Sequence, residues 1–131
     1  MIAVDTNVLV RLLVGDDPSQ ARKAQALFDR AAAGGVSVWV SDTVLVELVW
    51  TLSRAYARDR RDIVKALRAL SSHGTVALES PAATRSATDA FEHGPADFAD
   101  CLLSTKAQAA GCDQPATFDR SMKGLPGLKL L

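Results

Sequence analysis

Apolar and polar positions along the chain switch repeatedly between a short-run pattern and a helical one, and the switches mark its elements. Ile2 to Val4 is a brief apolar run, the length of a buried strand, and it stops at Asp5. Asn7 to Val14 reads as a short helix. Asp17-Pro18 starts the next one, with Asp as N-cap and Pro at the first helical position. That helix should run to about Ala33, with Ala24, Leu27, Phe28 and Ala31 inward and Gly34-Gly35 as its stop. Val36 to Val40 is a second strand, closed by Ser41 and by Asp42, which reads as an N-cap. A helix from about Thr43 to Ala57 carries Leu45, Leu48, Val49, Leu52 and Tyr56 at helical spacing. Arg60 to Ser72 forms another, with Ile63, Leu67 and Leu70 on one face. Thr75 to Leu78 is a third strand, Pro81 to Gly94 and Ala96 to Ala110 are helices, and Ala116–Phe118 and Leu128–Leu131 are short final strands. Strands alternating with helices predict an α/β sandwich around a central, mainly parallel sheet. Without repeats or linkers, residues 1–131 read as one domain.

Composition changes this picture little. The chain has 131 residues, 48% of them apolar, enough for one continuous core. Fifteen basic residues balance fifteen acidic ones, which argues against a disordered polyelectrolyte. Cys101 and Cys112 lie in no CxxC or Cys/His pattern, so buried or free thiols in a reducing cytoplasm are expected. The N-terminus lacks the basic start and cleavage site of a signal peptide, and no run approaches the roughly 20 apolar residues of a membrane span. A soluble, cytoplasmic protein with no membrane partner is the reading.

The acids carry the chemistry. Asp5 directly follows the first strand, and Asp119 follows the strand ending Thr117-Phe118; ligands of open α/β sheets bind beyond such strand ends. Glu47 interrupts an apolar helix and has Thr43, Val44, Trp50 and Thr51 as its helical neighbours, none of them basic. Asp62 and Asp89, by contrast, have Arg58 with Lys65, and Arg85, at pairing distance in sequence. Asp100 heads a stripe through Leu103, Ala107 and Ala110, a face expected to be packed, with Asp97 close by. Asp97 and Asp100 could each serve the dipole of a first helical turn, Asp119 could be a turn residue, and Glu47 could pair with a distant Arg. Carboxylates gathered without cations raise one another's pKa, and a divalent ion is the simplest relief. An all-oxygen ligand set favours magnesium, or manganese, over zinc. His73 and His93, beside glycines at helix ends, read as non-ligands. With no Ser/His/Asp set, Walker loop or GxGxxG, metal-assisted phosphodiester hydrolysis is the chemistry left.

The stretches AVDTNVLVRLL, VSDTVLVELVWTLSRAY, GPADFADCLLSTKAQAAGC and TFDR, in this order and spacing, resemble the PIN-domain nucleases. Within them the chain is similar to the VapC-type toxins of prokaryotic toxin–antitoxin pairs, over essentially its whole length. The resemblance implies that Asp5, Glu47, Asp100 and Asp119 are the acids of the site, with metal at Asp5, Asp100 and Asp119 and Asp97 as an additional ligand. It implies that Thr117 orients a carboxylate or a metal-bound water and that Asn7 sits on the pocket rim. It also implies endonucleolytic cleavage of RNA, a homodimer, and silencing by a separate VapB-like antitoxin chain. One departure is visible: Asp113-Gln114-Pro115-Ala116 stands where the family has an apolar strand, so this strand should be short or start late.

The basic run Arg54, Arg58, Arg60, Arg61, Lys65 and Arg68 could be a solvated helix face, diluted by Asp59 and Asp62. Part of it, Arg58 and Arg61 with Arg11 near Asp5, is the sequence's candidate for holding the RNA backbone. Few aromatics look exposed, which favours readout by shape and phosphate over base stacking. The rival readings are weaker. A phosphoacceptor receiver needs an acidic pair after its first strand, and a haloacid-dehalogenase phosphatase needs Asp-x-Asp where Asp5-Thr6-Asn7 stands. A catalytically inactive module that only binds a partner protein is the remaining alternative.

Overall fold

A computed structural model describes residues 1–131. The chain forms two compact units, Met1–Ser80 and Pro81–Leu131. The first holds strand β1 (Ile2–Ala3), helices α1 (Thr6–Val14) and α2 (Pro18–Ala33), strand β2 (Val38–Val40), helices α3 (Asp42–Arg54) and α4 (Arg60–Ser72), and strand β3 (Val76–Leu78). The second holds α5 (Pro81–His93), α6 (Phe98–Ala109), β4 (Ala116–Thr117) and β5 (Lys129–Leu130).

The predicted elements are all present, and every strand pair is parallel. β1 pairs with β2 in the register Ile2 to Val38, and β2 with β3 in the register Val38 to Val76. Parallel neighbours need crossover connections, and the helices supply them. In the second unit β4 pairs with β5 in a two-stranded parallel sheet, Ala116 opposite Lys129. β4 is only two residues long because Pro115 cannot donate to a ladder; its carbonyl still accepts from the Lys129 N–H at 2.8 Å.

Local chemistry sets the helix ends. Asp5, Asp17, Ser41 and Asp59 each accept a backbone N–H three residues ahead and start α1, α2, α3 and α4. The cap of α3 is thus Ser41, not Asp42, whose carboxylate instead accepts from the Ser80 hydroxyl at 2.9 Å. Gly15, at φ 70°, takes the left-handed turn that ends α1. Replacing Asp17 with Ala should lower stability by about 1 kcal/mol, the usual worth of a side-chain N-cap, read as a lower urea midpoint at unchanged slope.

Leu9, Val38, Leu45, Leu48 and Leu67 are buried at the centre of the first unit, where α1 packs on α2 and α3. In the second unit α5 lies against α6, with Phe91 and Phe98 edge to face at 6.1 Å. Cys101 is buried and Cys112 exposed, both as free thiols. Tyr56 departs from the helical reading. α3 ends at Arg54, and the phenol swings out to donate to Asp16 at 2.8 Å rather than packing inward. No helix is long and apolar enough to cross a membrane.

Candidate active site

In the first unit the acids lie at the carboxyl ends of parallel strands. Asp5 follows β1 and caps α1 through Val8 N–H at 3.2 Å. That bond uses one carboxylate oxygen, Oδ1, and the side chain stays exposed. Glu47 is an exposed position on α3, the helix that follows β2. The Thr6 hydroxyl, buried at 8% exposure, donates to Glu47 Oε2 at 2.6 Å. Thr6 therefore fixes the direction of Glu47 from the helix that Asp5 caps. Asp5, Thr6, Asn7, Glu47, Trp50 and Thr51 line a cavity of about 350 Å³. Asn7 stands in its wall.

In the second unit Asp97 occupies the N-cap position of α6 but makes no side-chain capping bond. The helix-dipole reading therefore leaves its carboxylate unspent. Asp100, one turn on, is half-buried, and its carboxyl is pushed above the ordinary carboxylate range, first by burial and then by the charges of Asp97 and Asp119. Its stripe is wetter than expected, since Leu103 is 53% exposed and Ala110 is exposed too. Asp119 follows β4, and hydrogen bonds from Ser121, from its side chain first and then from its N–H at 2.8 Å, hold its carboxyl below the usual range. The Thr117 hydroxyl accepts the Asp119 N–H at 2.9 Å, so it sets the turn that presents Asp119 rather than touching the carboxylate.

No three His, Cys, Asp or Glu side chains stand close enough, as they lie, to form a coordination shell. The donor chemistry nonetheless fits a hard cation. The charges of Asp97 and Asp119 bear on Asp100, Asp97 makes no side-chain capping bond, and all their donors are oxygens. His73 packs its ring edge on Phe28 and accepts from Thr75 N–H through Nδ1, so it stays out of the acid set.

The cations divide. Arg11 is tied down: it donates to Gln20 at 2.6 Å, to Asp16 at 2.9 Å and to Tyr56 at 3.3 Å. Its Nε and one terminal nitrogen are spent in this network, and Tyr56 and Arg11 hold Asp16 below the usual carboxylate range. A second cavity, of about 510 Å³, also has Asp5 and Asn7 in its wall and adds Arg11, Lys23 and Arg30. Arg58 lines a separate space of about 230 Å³ with Asp62 and Lys65. Neither Arg58, ahead of α4, nor Arg61, in its first turn, lines the two cavities that hold Asp5, although both are exposed.

Sequence reasoning missed Thr6, Trp50, Lys23 and Arg30. Thr6 had a signal, its position directly after a strand-end acid. Trp50 had none, because an apolar residue on an apolar helix gives no sign of facing water; it is 61% exposed, and Phe118, beside Asp119, is 81% exposed. The expectation of few exposed aromatics is corrected by these two.

The PIN domain family model matches residues 2–128, across both units. A protein of Aquifex aeolicus (strain VF5) named VapC ribonuclease is 27% identical over 125 residues, which covers 95% of this chain and 92% of that protein. No solved structure matches the chain.

Proposed function

From the premise that the chain belongs to the PIN-domain family, we propose that it is a metal-dependent endoribonuclease, the toxin of a VapBC-type pair. The chemistry is assigned to Asp5, Glu47, Asp100 and Asp119. The observation that carries the reading is the Asp100 carboxyl, half-buried and under the charges of Asp97 and Asp119, which is a destabilising arrangement without a cation. The similarity to a protein named VapC ribonuclease supports RNA as the substrate and a VapB-like antitoxin as the partner chain. A homodimer is part of the same reading.

Asp5, Asp100 and Asp119, with Asp97, would hold magnesium, or manganese in its place. Such an ion, when bound, supplies charge neutralisation on the phosphodiester and a water of lowered pKa. The remaining work belongs to the chain. Glu47 Oε2 is occupied by the Thr6 hydroxyl, which leaves Oε1 to take a proton from the attacking water. Asp5, anchored by Val8 N–H at one oxygen, keeps the other for the site. The Thr117 hydroxyl and Ser121 N–H keep Asp119 in one orientation.

The test is cleavage of a labelled total-RNA pool by the purified protein with magnesium, with manganese and with EDTA, beside an Asp5→Ala variant. Cutting at discrete sites that needs the metal and is lost in the variant is the expected result. A folded wild type that leaves every RNA intact with either metal would instead make the chain an interaction module.

A further inference from the structure

The two cavities that share Asp5 and Asn7 are lined from different helices, one by α3 and the other by α2, and differ in chemistry. On one side the wall includes Trp50, a residue that is 61% exposed and whose ring carries the Arg54 guanidinium 4.4 Å from its centroid. On the other side the wall carries Lys23 and Arg30. These two lie seven residues apart on α2, two helical turns, so they project to the same side about 10 Å apart along the axis. An aromatic face backed by a cation suits a nucleobase, which stacks on either. A pair of exposed cations on one helix face suits backbone phosphates. A nucleic-acid strand, with a base for the ring and phosphates for the two cations, is the ligand that uses both parts of this surface.

We propose that the first unit carries a track for single-stranded RNA, with one base stacked on Trp50 and the adjoining backbone running past Asp5 and Asn7 to Lys23 and Arg30. The inference rests on the ribonuclease reading and specifies where that substrate lies. A base can reach Trp50 only when it is unpaired, because in a duplex its faces are buried in the stack. The track therefore selects single-stranded segments such as loops. It places the phosphate contacts on α2, whereas the sequence pointed to Arg11 with Arg58, ahead of α4, and Arg61 in α4.

The experiment uses the full chain with Asp100→Asn, which silences cleavage, and measures binding of a fluorescein-labelled single-stranded RNA 12-mer in magnesium by anisotropy. Adding Trp50→Ala should weaken binding roughly tenfold, within the range alanine substitution gives for one stacked base. Trp50→Phe should stay within about threefold. A Lys23→Gln, Arg30→Gln pair should weaken binding and flatten the log–log salt slope by about 1.4, the value for two phosphates on a single strand. A blunt duplex of the same sequence should bind more weakly and resist the active enzyme. Normal affinity in both the Trp50→Ala and the Lys23/Arg30 variants, with the wild type still cleaving RNA, overturns the track and leaves the nuclease reading standing. A wild type that neither cuts nor binds RNA overturns both. A Trp50→Ala protein that binds RNA normally but changes its sedimentation assigns Trp50 to a protein contact and likewise overturns the track.

Discussion

Replacing Asp100 with Asn is expected to cut RNA cleavage by at least about a hundredfold while making the metal-free protein more stable at neutral pH. The loss follows from removing a charged donor from a site in which a cation is asked to supply several kcal/mol of transition-state stabilisation. The gain follows from the same carboxylate. Burial, then Asp97 and Asp119, raise the Asp100 pKa, so the folded protein holds that proton more tightly than the unfolded chain does. The sign is the reverse of the usual Asp case. The folded state is favoured by this group at low pH, and that advantage is lost as pH rises from the ordinary carboxylate value through the raised one. Other carboxylates titrate in the same range, so the readable quantity is the difference between wild type and variant. In EDTA the two melting temperatures should draw apart as pH rises from about 4 to neutrality, with the Asn protein higher. Magnesium should then raise the wild-type melting temperature and raise that of the variant less, since ligand binding stabilises in proportion to affinity. An Asn protein that melts below the wild type in EDTA at pH 7, or that cleaves as fast in magnesium, would remove Asp100 from the site.

What made Asp100 legible in the sequence was the mismatch between its charge and its apolar neighbours. The same logic singled out Glu47 as a candidate, and position directly after a strand singled out Asp5 and Asp119, because such signals are visible in one dimension. The element order was legible for a related reason: capping residues, glycine stops and apolar periodicity are local, and Asp17-Pro18 or Gly34 act on the few residues beside them. What was not legible depended on partners distant in sequence. Tyr56 fits the spacing of α3, yet its phenol is claimed by Asp16, forty residues away. The bond between Thr6 and Glu47 spans forty-one residues. Strand pairing is non-local in the same way, so the residues that make β4 and β5 a sheet of their own do not announce it, although Pro115 announces that β4 is short. Trp50 shows the limit most clearly. Periodicity locates the face of α3 that packs, through Leu45, Leu48, Val49 and Leu52, but an aromatic residue off that face reads as apolar wherever it points.

The Thr6 contact is also where the assignment of Glu47 is most open to test. A Thr6→Val substitution preserves the branched shape in a site that is 8% exposed, and deletes only the hydroxyl that donates to Glu47 Oε2 at 2.6 Å. A hydrogen bond to a charged acceptor contributes about 1.5–3 kcal/mol. If that bond aims the carboxylate at the attacking water, its loss should lower kcat about ten- to a hundredfold. KM should hold, because Thr6 is 8% exposed and its hydroxyl is spent on Glu47 rather than offered to a ligand, and the fold should hold because valine packs as threonine did. Thr6→Ser, which restores the donor without the methyl group, should recover most of the rate. These outcomes separate positioning from packing. A packing role would make Ser the worse substitution, since it leaves a methyl-sized void, and Val the silent one. Full activity in Thr6→Val would mean that Glu47 needs no anchor to work, and the proton would then have to pass to a different oxygen.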